Sequence, residues 1–121
     1  MRLFFIASAV SLVTGCRPAE PDPRTYLGCY AADGWHAEIG QRYLKLNNPP
    51  VTLPARLGRD KLGDFVLVER PVWYVRQENG GLRLVSYRGI GTYFPLNAGQ
   101  RPSLELPVVD EDGIVLSKIK C

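Results

Sequence analysis

Leu44 and Leu46 alternate with Tyr43 and Lys45, the two-residue period of a strand that buries one face. From residue 25 onward short runs of this kind, or Val-rich apolar runs, recur between turn residues, and no stretch shows a helical period. The pattern predicts strands over residues 25–30, 35–39, 42–46, 64–69, 72–76, 82–88, 104–108 and 114–119. Asp33-Gly34 reads as a hairpin turn, and Gln77-Glu78-Asn79-Gly80-Gly81 joins the clearest hairpin of the chain. Asp110-Glu111-Asp112-Gly113 joins the last two strands, while Asn47-Asn48-Pro49-Pro50 stops the third. Residues 47–63 are expected to be irregular, as a functional loop or as cover for a short helix. On the last strand Val115, Ser117, Ile119 and Cys121 share a face, which predicts that the cysteine points the same way as its apolar neighbours.

Seven or eight short strands in about 95 residues, with turns between them, predict an all-β fold: a small antiparallel barrel or a sandwich. Ten prolines and twelve glycines agree with that and oppose a helical bundle. At 121 residues the chain is long enough for one domain.

The N-terminus follows another pattern. Met1-Arg2 supplies a positive start, and Leu3 to Val13 carries no charge. Eleven helical residues reach about 16 Å, roughly half the thickness of a hydrocarbon core, so this run suits an export signal better than a permanent span. The residues that follow, Val13-Thr14-Gly15-Cys16, resemble the lipobox of bacterial lipoproteins, with Val13 in place of the more usual Leu. The resemblance implies a diacylglyceryl group on the Cys16 thiol, cleavage after Gly15, and a lipidated new N-terminus held stably by two or more acyl chains. Arg17 in place of Asp after the cysteine implies, by the sorting rule of such lipoproteins, the outer membrane facing the periplasm. The expected division is therefore a signal peptide over 1–15, a lipidated and Pro-rich tether over 16–24 spanning about 25 Å, and a β domain over 25–121.

Three cysteines is an odd number for an exported chain. Lipidation of Cys16 leaves Cys29 and Cys121, one near each end of the folded part, to form a disulfide in an oxidising compartment. Charge changes the picture less. Of 15 basic side chains Arg2 lies in the expected signal, leaving 14 against 12 acidic ones, with both signs interspersed. That excludes the clustered basic face of a nucleic-acid binder.

The inventory for catalysis is thin. His36 is the single histidine; it shares a strand face with Glu38, but two ligands without a Cys or Asp partner make a poor metal site. No Gly-x-Ser-x-Gly elbow or phosphate cradle occurs, and the acidic run at Asp110 to Asp112 fits a turn. No enzyme, metal or cofactor is expected. Binding has better material: Trp73 and Tyr74 must face opposite sides of their strand, and Tyr87, Arg88, Tyr93 and Phe94 lie in a glycine-bearing segment (YRGIGTYFPL). Aromatic and Arg side chains of this kind anchor interfaces. The functional expectation is a non-enzymatic envelope lipoprotein whose β domain binds an envelope protein. The alternatives are a lipocalin-like carrier of a small ligand and an anchored inhibitor of a cell-wall hydrolase. The chain is similar to lysozyme-inhibitor lipoproteins in lipobox, size and single disulfide, but it lacks their Ser-Gly-x-x-Tyr loop; Gly91-Thr92-Tyr93 is the nearest fragment.

Overall fold

The computed structural model describes residues 20–121. A short helix, α1 (Pro23–Tyr26), precedes ten strands: β1 (Gly28–Ala32), β2 (Trp35–Ile39), β3 (Tyr43–Asn47), β4 (Pro50–Asp60), β5 (Gly63–Val68), β6 (Val72–Arg76), β7 (Leu82–Ser86), β8 (Thr92–Asn97), β9 (Ser103–Leu106) and β10 (Ile114–Ile119). Eight of these close an antiparallel barrel in the order β1-β10-β9-β8-β5-β4-β3-β2, and β6 pairs with β7 as a separate hairpin. The fold is all-β, and of the two expected architectures it is the barrel.

Closure follows from local chemistry. Asp33 and Gly34 both take positive φ, the geometry that a two-residue hairpin loop requires, and they set the register Ala32↔Trp35 between β1 and β2. Alternation then sends Tyr30, Leu44, Val66, Phe94, Leu104 and Leu116 inward, where at most 1% of their surface remains exposed.

Tyrosines from outside the wall stop both mouths. At one end α1, capped by Asp22, sets Tyr26 beneath the barrel. The Tyr26 hydroxyl donates to Asp64 Oδ2 at 2.6 Å, Tyr30 donates to the Tyr26 carbonyl at 2.7 Å, and Lys118 Nζ reaches the Thr25 carbonyl at 2.8 Å. At the other end Tyr74, on β6, is wholly buried and donates to the Asn48 carbonyl at 2.7 Å. Its backbone joins the segment after β9: the Tyr74 amide donates to Pro107 and the Val109 amide to Tyr74. The β6–β7 hairpin is therefore a lid with one face in the core, and every buried side-chain nitrogen or oxygen among the described residues has a partner.

Several expectations need correction. Residues 47–63 hold an eleven-residue strand, β4. Pro54 ends its pairing with β3 (Tyr43↔Pro54), and Ala55 begins its pairing with β5 (Ala55↔Val68). A proline is tolerated where the strand changes partner, because the missing N–H costs no continuing ladder. The glycine-bearing segment expected to supply binding side chains contains a further barrel strand, β8. On β10 the shared face of Val115, Ser117 and Ile119 is the outer one, with Val115 52% and Ile119 41% exposed, and Leu116 turns inward. The cysteine bridge accordingly lies on the outside of the barrel. The folded part also starts earlier than residue 25, since Pro21 is buried and Asp22 caps α1. Cys16 and the rest of the lipobox lie outside the described residues.

Candidate functional site

The hairpin has two faces. Val72 and Tyr74 point into the barrel, with Leu82 and Leu84 packed against its core. Cross-strand partners share a face, so the pairs Trp73↔Val85 and Val75↔Arg83 form the outer one. The Tyr87 ring joins this face and meets Trp73 edge-on, with centroids 4.9 Å apart at 67°. Residues 87–91 continue from there, placing Arg88 in solvent and leaving Ile90 99% exposed.

Local contacts fix this surface to the barrel. The buried Thr92 hydroxyl accepts the Val72 amide at 2.8 Å, and the Tyr87 amide donates to the Pro71 carbonyl at 2.8 Å. Gly91 adopts φ +143°, and a Cβ there would stand 2.7 Å from the Val68 carbonyl oxygen, so only glycine lets the loop lie against the end of β5. At the hairpin tip Arg76 forms a two-pronged ion pair with Glu111 at 3.1 and 2.8 Å. That pairing holds the Glu111 carboxyl below its ordinary range. Among the described residues β7 pairs with β6 alone, which leaves its other edge free of any strand.

A second surface lies on the barrel wall near α1. Tyr93 points outward and stacks on Phe65, with centroids 4.1 Å apart and planes within 5°. Phe65 in turn covers Gly58, where a Cβ would come within 2.5 Å of the ring. Together with Leu67, Arg42, Arg56 and Pro21 these residues line an open groove of about 760 Å³. A smaller depression of about 350 Å³ lies on the outer face of β1 to β3, beside the disulfide.

The sequence candidates thus separate. Trp73 and Tyr87 come together, with Arg88 next along the chain; Tyr93 belongs to the wall groove. Phe94 is wholly buried, so the expectation that it gives contact area is corrected: it is an inward neighbour of an outward tyrosine. Cys29 and Cys121 are bonded, with Cα atoms 5.3 Å apart. Sequence reasoning missed Ile90 and Leu62, both almost fully exposed; an isolated aliphatic residue carries no periodic signal. Phe65 was concealed inside an apolar run whose outward side is visible only once β5 is paired.

A few titratable groups are committed to each other. Arg59, foremost, and the Tyr26 hydroxyl hold the Asp64 carboxyl below its ordinary value. Burial first, and Asp64 next, push Tyr26 up to about 12; burial alone pushes Tyr30 up to about 12 and raises Tyr74 as well. Glu38 accepts the Tyr43 hydroxyl, while His36 is exposed and its backbone amide donates to Asn47. Among the described residues no three His, Cys, Asp or Glu side chains gather where a metal could be held. Comparison with protein-family models, with curated proteins and with solved structures finds no match to this chain.

Proposed function

We infer that the chain is a lipid-anchored, non-enzymatic binding module of the cell envelope, tethered through Cys16 on the periplasmic side of the outer membrane, and that it takes an envelope protein at the hairpin end. The observation that carries this reading is a hairpin held outside the barrel wall with aromatic residues on its solvent face. The Trp73–Tyr87 pair, Val75 and Val85 share an apolar face with Arg83, and Arg88 and the exposed Ile90 follow Tyr87 along the chain, the composition of an interface centre with a charged rim. A lipocalin-like carrier needs an interior larger than its side chains can fill; here the interior is occupied by Tyr30, Leu44, Phe94, Leu104 and Leu116 and closed by Tyr26 and Tyr74. An inhibitor of a cell-wall hydrolase is the same reading with a particular partner.

The test is a paired replacement, Arg88→Glu with Ile90→Asp, in the full chain expressed in cells. Both side chains are exposed, so the variant is expected to fold and fractionate with membranes as the parent does, yet to lose an envelope protein that co-purifies with the parent. Retention of the same protein by the variant contradicts the reading.

A further inference from the structure

The barrel has two chemically different ends. The α1 end gathers the N-terminal segment, residues 40–42, the β4–β5 turn, residues 98–102 and the C-terminus. Of its acidic side chains, Asp22 pairs with Arg24 and Asp64 with Arg59, Asp60 accepts the Leu62 amide, and Glu20 is exposed. Arg42, Lys61, Arg101 and Lys120 are exposed there, and none has an ion-pair partner among the described residues. Beside Lys61, at the tip of the β4–β5 turn, Leu62 is 97% exposed and the barrel gives it nothing to pack against. The hairpin end carries both signs, with Glu69, Glu78, Asp110 and Asp112 exposed beside Arg70, Arg83 and Arg88.

Residue 20 lies at the α1 end, where it helps line the wall groove with Pro21, Arg42 and Arg56. Three residues lie between it and Cys16, and the four Cα steps reach at most about 14 Å. The folded part begins at Pro21, so the spacer is about half as long as an unfolded segment to residue 24 would make it. An anchor on Cys16 therefore holds the α1 end within about one to two Debye lengths of the headgroups at physiological salt, where unpaired cations are drawn to an anionic surface.

We propose that the α1 end is a membrane-facing footplate: Arg42, Lys61, Arg101 and Lys120 lie on the phosphates of anionic phospholipid headgroups, and Leu62 enters the interface beside them. A single exposed leucine flanked by lysine at a turn tip is the arrangement by which a folded domain adds shallow apolar contact to electrostatic attraction. The consequence is orientation. With the α1 end on the bilayer, the Trp73–Tyr87 face at the opposite end points away from it, toward anything crossing the periplasm. The proposal rests on the anchored reading for the placement of this end.

The test is amide hydrogen exchange of the chain purified from membranes and reconstituted in vesicles. One set is phosphatidylcholine alone; the other is phosphatidylcholine and phosphatidylglycerol in equal parts. The expected result is exchange slowed several-fold at residues 60–63 and 98–102 on the phosphatidylglycerol vesicles only. The slowing should fade between 0.1 and 1 M salt, as the Debye length falls from about 10 to about 3 Å. It should also be lost in a Lys61→Glu, Arg101→Glu variant whose thermal midpoint matches the parent. Equal exchange on both vesicles, or slowing at residues 78–81 instead, overturns the footplate. Intact mass of the same sample reports acylation of Cys16 separately, so a failed anchor and a failed footplate are told apart; an unacylated chain added to the two vesicle types gives the same comparison.

Discussion

The ring of Trp35 meets that of Tyr74 edge-on, with centroids 5.1 Å apart at 86°. One residue opens β2 of the barrel and the other sits on the hairpin outside it, so this contact ties the hairpin to the barrel. Aromatic pairs of this geometry add about 0.5–1.5 kcal/mol to their burial. Tyr74→Phe keeps the ring and strands the Asn48 carbonyl, and should cost about 1–3 kcal/mol. Tyr74→Ala should cost about 3–5 kcal/mol and free the hairpin from the mouth. Urea unfolding measures both, and amide exchange across β6 and β7 should rise far more in the alanine variant; equal exchange in the two would contradict the plug.

Gly91→Ala tests the loop that carries Ile90. Its φ of +143° and the 2.7 Å approach of a Cβ to the Val68 carbonyl leave no compatible position for a side chain. We expect about 1–3 kcal/mol of destabilisation from the backbone alone, together with weaker partner binding as residues 87–90 lift away. A variant as stable as the parent would show that the loop is not pinned there.

How much of this was legible in the sequence depends on the element. β1–β2 and β6–β7 were readable because Asp33-Gly34 and Asn79-Gly80 supply turn geometry next to alternating residues. β4 and β8 were hidden by proline. Val51, Leu53, Ala55 and Leu57 do alternate inward, yet Pro50 and Pro54 look like breakers until the change of partner at Pro54 is known. Thr92, Phe94 and Leu96 likewise alternate behind Pro95. On β10 the alternation was readable but not which face is inner, which is settled by Leu116 taking the buried position. Trp73 and Tyr87 could be named as candidates, but their pairing depends on the hairpin register, which brings Val85 opposite Trp73.

Two pH dependences follow from the ends of the barrel. Arg59 and Tyr26 lower the folded pKa of Asp64 from an ordinary 3.8, so its contribution is present above that value and is lost as pH falls through the folded one. Asp64→Asn should flatten the acid limb of the stability curve below about pH 4. Tyr26 and Tyr30 behave in the opposite sense: raised from 10 to about 12, they contribute fully below pH 10, and that contribution is lost as pH rises through 12. The phenolate absorbance of the buried tyrosines should therefore appear together with unfolding in that window, and ionisation of all six tyrosines well before unfolding would contradict the burial.

The bridge between Cys29 and Cys121 closes a separation of 92 residues. On the chain-entropy model that constrains the unfolded state by up to about 4–5 kcal/mol, a large share of the roughly 5–15 kcal/mol typical of a domain. Replacing both cysteines by alanine should lower the denaturation midpoint accordingly, and maleimide should label neither thiol in the native oxidised domain. Labelling of either would contradict the bridge.

Cys16→Ser should release the exported chain from the membrane fraction without changing its thermal midpoint, since the anchor acts outside the barrel. Continued membrane association of that variant would remove the basis of the tethered reading.

The most direct measurement of the account is site-specific photo-crosslinking in living cells, with the photoreactive residue placed at Ile90 in one sample and at Leu62 in another. One envelope protein is expected to be captured stoichiometrically from Ile90, and lipid adducts without that protein from Leu62. The same protein captured from both positions, or none from Ile90, would contradict it.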